Sequence, residues 1–388
     1  MSRIAVLGSG AWGTAIALAL NRRGGHHITL WSHSADDAGK ISAAGENVLF
    51  LPGFPLPKDI AITSDGAAVA AAEIVVSVIP SEFLRPTLAR LKPHFHSGQV
   101  VVSATKGVEN NTYLRMTQLI ASCLVDSIHP GAMSPSIAPP PVAGANPDTH
   151  LEVFTEASAP EVSSSGLEPA AQAMNDCLLA AETLPIGALS GPSFALEVAQ
   201  GQPTAVTVAF LDPAIASRVQ QEFSSEALRL YTSTDVIGVE LGGALKNVIA
   251  IAAGVAAGMG LGYNSSAALM TRGIAEITRL AVACGGRRET LAGLSGVGDL
   301  VLTCTGSLSR NRTVGQALGQ GRNLAEILES LGGKVAEGVL TTRAALGLAR
   351  QHNIEMPITE QMELILDEGK DPREAIKDLM LRPGKHEH

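Results

Sequence analysis

The chain has 388 residues, 46% of them hydrophobic, which is enough to fill the cores of two or three domains. Its net charge is −9, only 17% of residues are charged, and no Lys/Arg run occurs; this argues against a nucleic-acid partner and leaves any anionic ligand to a few local cations. The four cysteines, Cys123, Cys177, Cys284 and Cys304, form no CxxC pair and have no histidine at metal-ligand spacing, so they read as reduced thiols of a cytoplasmic protein, with no metal site.

Met1 leads directly into an apolar strand, without the pattern of a secretory leader. Short β-branched runs then predict strands over 3–7, 27–31, 60–63, 74–79, 99–104, 186–189, 205–210 and 228–231. Helical patterns such as 14–23 and 81–91 lie between the early ones. Continuous apolar strands alternating with helices predict a parallel sheet covered on both faces. From about Asp235 the periodicity is helical, over 236–258, 266–284, 289–294, 312–318, 323–331, 341–352, 359–366 and 372–381. The expected domains are therefore 1–233 and 234–388.

Two segments interrupt this scheme. Residues 128–183 are rich in Pro, Ala and Ser, with helical signal only near 169–184, and read as an insertion that buries little; an inert insertion is the simpler reading and a lid the alternative. The Ala/Gly-rich run from Asn247 to Leu261 is shorter than the roughly 20 residues needed to cross a bilayer, and reads as a buried helix without membrane insertion.

The first strand is followed by Gly8-Ser9-Gly10-Ala11-Trp12-Gly13, a G-x-G-x-x-G loop in its strand–turn–helix setting. Gly8 permits the tight turn, Gly10 lets a pyrophosphate approach the backbone, and Gly13 allows close helix–strand packing. The helix that begins there offers free N–H groups to phosphates, so NAD or NADP is the expected cofactor. The end of the second strand, Leu30-Trp31-Ser32-His33-Ser34, carries no carboxylate to repel a 2′-phosphate. NADP is thus tolerated or preferred, with NAD still open. His33 reads equally as an adenosine contact or as an ordinary loop residue.

The catalytic candidates follow from what carbonyl–alcohol hydride transfer needs beyond a nicotinamide: a proton donor or acceptor, and a grip on a charged substrate. Lys246 lies in a helical run of apolar and tiny residues, where desolvation disfavours the ammonium form. An amine brought towards neutrality suits a general base for alcohol oxidation and a general acid for ketone reduction. Gly242 and Gly243 are expected to leave room for a ligand beside it. A snorkelling surface lysine is the structural alternative.

Asp299, after a Gly-rich turn, could tune that lysine or bind a substrate hydroxyl, or simply cap a helix. Ser309-Arg310-Asn311-Arg312 opens a helix and suits a phosphate cradle, or a capped helix start. Lys106, and the turn Gly191-Pro192-Ser193-Phe194-Ala195, each follow a strand and fall at the carboxyl edge of the sheet, where such folds bind ligands.

Together, Gly8–Gly13, Asn47–Pro52, Ala104–Gly107, Ser190–Ala195 and Gly238–Val248 resemble the bacterial NAD(P)-dependent glycerol-3-phosphate dehydrogenase family. The likeness continues in order through 296–304, 309–311, 335–338 and 355–359. It implies an α/β Rossmann-like N-terminal domain plus an all-α C-terminal domain of the 6-phosphogluconate-dehydrogenase kind.

By resemblance, Lys246 is the proton acceptor, and Asp299 is read with it as catalytic. Lys106, Gly191, Ser193, Lys246, Asp299, Ser309, Arg310 and Asn311 fall on contacts to a small phosphorylated three-carbon substrate. Ala11, Trp12, His33, Lys106, Ala195, Arg310, Val335 and Glu337 join the glycine loop on cofactor contacts. The resemblance also implies a cytoplasmic role supplying glycerol 3-phosphate for phospholipid synthesis. A homodimer is compatible with this. The segment around 128–183 is longer than the family usually carries. The rivals are another dehydrogenase of this architecture, of 3-hydroxyacyl or ketopantoate type, and a non-catalytic NAD(P)-sensing protein.

Overall fold

A computed structural model describes residues 1–128, 184–330, 337–384 and 386–387. The expected helical signal near 169–184 and the insertion therefore lie almost wholly outside the described residues, as does Val335.

Ten strands are present among the described residues: β1 Ser2–Leu7, β2 His26–Trp31, β3 Glu46–Asn47, β4 Leu51–Pro55, β5 Ile60–Thr63, β6 Ile74–Ser77, β7 Val100–Ser103, β8 Ile186–Ser190, β9 Thr204–Ala209 and β10 Leu228–Ser233. Eight form one sheet, ordered β10-β9-β8-β7-β6-β1-β2-β5. Side chains of β1 alternate between two cores: Ile4 and Val6 face one cluster, Ala5 and Leu7 the other. Both faces are covered, which is why the strand reads as an unbroken apolar run. Chain order reverses on either side of β1, so the crevice beyond the carboxyl ends of β1 and β6 is the switch point where ligands of such sheets bind.

The sheet is not wholly parallel as expected: β8 and β9 pair antiparallel. The connection between them carries only the six-residue helix Ala195–Gln200. Such a helix spans roughly 9 Å, too short to carry the chain back along a strand of about 20 Å for a parallel return. The hairpin β3–β4 was not expected, and it supports the glycine loop: the buried Asn47 amide donates to the Ser9 carbonyl at 2.6 Å and to Thr14 Oγ1 at 2.8 Å.

The helical domain is built around Val236–Gly258, whose start is capped by Asp235 accepting from the Gly238 N–H at 2.8 Å. This helix has the bounds expected from the sequence, and at 23 residues it is long and apolar enough to cross a membrane, which the Ala/Gly-rich run from Asn247 alone is not, yet 94% of its most apolar window is buried inside the protein. It is a core helix.

The helix Arg310–Gly319 packs backbone to backbone against it. A Cβ on Gly315 would stand 1.9 Å from the Ile251 carbonyl oxygen, and one on Gly254 would stand 2.1 Å from that of Arg312. Glycine is thus required at these positions by close approach. The helices Tyr263–Ala283, Glu337–Gln351 and Pro357–Asp367 complete the layer around this pair.

Candidate active site

The glycine loop has the shape that a dinucleotide needs. Gly8 takes φ 119°, and a Cβ there would press on the Val78 carbonyl oxygen at 2.9 Å. Gly10 faces open space, so its backbone can be approached. A Cβ on Gly13 would stand 1.9 Å from the Gly8 carbonyl oxygen. The helix Ala11–Arg23 that follows has no side-chain cap, which leaves its first N–H groups free for an anion. The residues present therefore fit a pyrophosphate. Ala11, Trp12 and Ala195 pack against one core cluster beside this loop.

His33 is exposed after β2, and its backbone carbonyl accepts from Arg90 at 3.3 Å. No carboxylate stands among residues 30–34.

Three predicted polar residues from distant parts of the chain meet at the carboxyl edge of the sheet. Lys246 is buried and donates to Asp299 Oδ1. Lys106, just beyond β7, donates to Asp299 Oδ2 at 2.9 Å. Asp299 is wholly buried, so its two oxygens are shared between two amines and it does not merely cap its helix. Burial pulls the Lys246 amine down to about 7; Lys106 adds to that and Asp299 opposes it. At Lys106 burial acts in the same downward sense, but Asp299, helped by Lys246 and Glu337, outweighs it and holds that amine above the ordinary lysine range. The site thus contains one amine that titrates near neutrality beside one that stays cationic.

Gly242 and Gly243 do not leave ligand space, contrary to expectation. A Cβ on Gly242 would stand 2.4 Å from the Ser295 carbonyl oxygen, and one on Gly243 would stand 2.2 Å from Ser190 Oγ. They let the turn that carries Asp299 and the end of β8 approach the Lys246 helix. Sequence reasoning missed Ser190, whose buried hydroxyl has no partner among the described residues. No local signal marks such a hydroxyl.

The Gly191 turn faces the same place. Gly191 takes φ 146°, Ser193 Oγ donates to the Gly191 carbonyl at 3.0 Å, and Pro192 lies 3.7 Å from where a Gly298 Cβ would be.

The Ser309–Arg312 segment divides its labour. Ser309 caps the helix by accepting from the Arg312 N–H at 3.2 Å. Asn311 is buried and accepts from the Gly338 N–H at 3.0 Å, while Asn247 donates to Glu337 at 3.3 Å. Both bonds tie the start of helix Glu337–Gln351 to the Lys246 helix and its neighbour. The negative charge of Glu337 also helps hold the Lys106 amine in its charged form. Arg310 is exposed, leaving its guanidinium accessible to an anion.

A switch-point glycine loop beside a buried lysine–carboxylate–lysine cluster defines an NAD(P)-dependent oxidoreductase of the Rossmann type. The family model for the N-terminus of NAD-dependent glycerol-3-phosphate dehydrogenase matches residues 3–143 and 162–216, and that for its C-terminus matches 235–377. The chain is 52% identical to glycerol-3-phosphate dehydrogenase [NAD(P)+] of Acidobacterium capsulatum over 391 aligned positions, covering 100% of both proteins. It is 50% identical to that of Koribacter versatilis, covering 100% of this chain and 99% of the relative. Its structure is similar to the crystal structure of glycerol-3-phosphate dehydrogenase from Coxiella burnetii, with a TM-score of 0.79, 33% identity and coverage of 98% and 99% of the two chains. This protein belongs to the NAD-dependent glycerol-3-phosphate dehydrogenase family.

Proposed function

We propose that the protein interconverts sn-glycerol 3-phosphate and dihydroxyacetone phosphate with NAD or NADP, and that Lys246 carries the proton. The nicotinamide, when bound, supplies or accepts the hydride at C2. Lys246 Nζ gives its proton to the developing C2 alkoxide in reduction and takes it back in oxidation. Asp299 orients that amine, and burial, aided by Lys106, keeps it from being permanently charged. Asp299 and Lys106, with Gly191 and Ser193 on the facing turn, line the substrate side. Arg310, with Ser309 and Asn311 at its helix start, grips the phosphate. Gly8, Gly10, Ala11, Trp12 and Gly13 hold the pyrophosphate, and His33, Lys106, Ala195, Arg310, Val335 and Glu337 complete the cofactor contacts.

The observation that carries this reading is Asp299 shared between Lys246 and Lys106 at the switch-point crevice. A protein that only sensed NAD(P) would have no need of a buried proton relay. Residues 1–233 form the cofactor domain and 234–388 the helical one in this reading. The setting is cytoplasmic, in keeping with the unpaired thiols of Cys123, Cys284 and Cys304, and the product feeds phospholipid synthesis. The test is oxidation of NADH and of NADPH in the presence of dihydroxyacetone phosphate. Turnover with at least one is expected, and none with either would reject the reading.

A further inference from the structure

The loop after Lys106 is anchored in the other domain. Val108 is buried within the core of the helical domain, and Tyr113 packs against the same cluster. The Tyr113 ring occupies a notch left by Gly347 of helix Glu337–Gln351, where a Cβ would stand 2.0 Å from Tyr113 Cε1. Asn111 and Tyr113 both take left-handed backbone, with φ of 74° and 58°. A tyrosine holds that conformation only where its surroundings impose it.

Val108 bridges Arg115, which closes the loop into a hairpin. Arg85 clasps Glu109 within it through two bonds of 2.7 Å. At the far end Arg115 pairs with Glu240, and the Thr117 N–H and hydroxyl each donate to Glu240 at 2.7 Å. Glu240 is buried on the same helix as Lys246. On the near side, Thr105 donates to the Ile79 carbonyl at 2.8 Å. Lys106 thus sits between a strand-side anchor and a hairpin fastened to the helical domain.

We propose that Tyr113 is a positioning residue: seated against Gly347, it fixes hairpin 107–115 on the helical domain and so holds the Lys106 amine on Asp299 beside Lys246. This rests on the reading of Lys246 as the proton carrier. Asp299, Lys106 and the Cys304 thiol face Lys246, while Asp299, Lys246 and Glu337 face Lys106. When the hairpin loosens, Lys106 withdraws. A like charge then leaves Lys246, and Asp299 is left to Lys246 alone. Both changes favour the ammonium form and raise the pH at which Lys246 titrates.

The test compares Tyr113→Ala, Tyr113→Phe and Gly347→Ala, the last adding a methyl that evicts the ring. Lys246 is titrated directly by NMR in protein labelled biosynthetically with 13Cε-lysine. The maximal rate of dihydroxyacetone phosphate reduction and NADPH binding by fluorescence are measured alongside. In Tyr113→Ala and Gly347→Ala, Lys246 should titrate at higher pH than in the wild type, with kcat lowered about tenfold by the misplaced lysine. NADPH affinity should fall in the same two variants, since Lys106 is also a cofactor contact in this reading, and Tyr113→Phe, which keeps the ring, should match the wild type. Tyr113→Leu keeps apolar bulk in the core and supplies a folded protein should the other two fail to fold; it is expected to shift in the same direction. A Lys246 titration that does not move in the folded variants would overturn the proposal. A wild type inactive on dihydroxyacetone phosphate would instead remove the functional reading, leaving the titration to judge the brace.

Discussion

Lys246 and Asp299 meet inside the protein, amine to Oδ1, although 53 positions separate them in sequence. Neither side chain has appreciable contact with solvent. An isolated lysine so placed would lose its proton. Paired with Asp299, whose second oxygen holds Lys106, the Lys246 amine titrates near neutral pH.

The pH profile should show this directly. Lys246 is pulled down to about 7 by burial. Reduction needs the protonated amine and should decline as pH rises through about 7, whereas oxidation needs the free amine and should rise over the same interval. Maximal rates in both directions across that interval check it. Two limbs with the same sign would remove Lys246 from the role.

Asp299→Asn keeps the shape and removes the charge. Two amines are then left without their carboxylate in a dry site. Breaking a buried pair from one side typically destabilises by about 3–5 kcal/mol, and Lys106 itself is only partly buried, so the lower part of that range is expected here. Without the anion, Lys246 holds its proton less firmly, so the falling limb of reduction should move to lower pH. Denaturant unfolding and the pH profile of the variant measure the two effects.

Gly315→Ala tests the helix pair behind the site. The added methyl would stand 1.9 Å from the Ile251 carbonyl oxygen, which is backbone and cannot swing aside. Overpacking of this kind usually destabilises by about 1–3 kcal/mol or more, and should appear as a lower thermal midpoint. An unchanged midpoint would contradict the backbone-to-backbone packing.

Glu276 offers a separate test away from the chemistry. Buried on helix Tyr263–Ala283, it accepts from the Ile358 N–H at 2.6 Å and from Thr359, and so caps the start of helix Pro357–Asp367. Burial pushes it from 4.5 up to about 7, against the pull of those donors. The native state therefore binds the more protons between these values. The contribution of Glu276 to stability is largest below 4.5 and declines as pH rises to about 7. The stability difference between wild type and Glu276→Gln should shrink across that window and be flat above it. Chemical denaturation at several pH values measures this.

Much of this architecture was legible in the residues. Strands buried on both faces announce themselves as β-branched runs, and the apolar period marks Val236–Gly258 at its observed bounds even though Glu240, Lys246 and Asn247 interrupt it. The antiparallel turn into β9 was not legible, since periodicity carries no direction; only the short connecting helix reveals it. Lys246 and Asp299 stood out as ionisable groups in apolar or glycine-rich runs, and Lys106 by its place after a strand. Their contact did not, because nothing local joins positions 106, 246 and 299.

Gly242 and Gly243 show how a small residue misleads. The sequence records that space was needed, but not that protein backbone and Ser190 would fill it. Ser309 and Asn311 likewise spend hydrogen bonds on the fold, which a motif alone cannot disclose.

The most direct test of the central claim is the maximal rate of dihydroxyacetone phosphate reduction by Lys246→Ala, with NADPH affinity measured on the same preparation. Loss of a positioned acid–base group predicts a rate lower by roughly 10²-fold or more, with cofactor binding intact. Near-normal turnover would contradict the account.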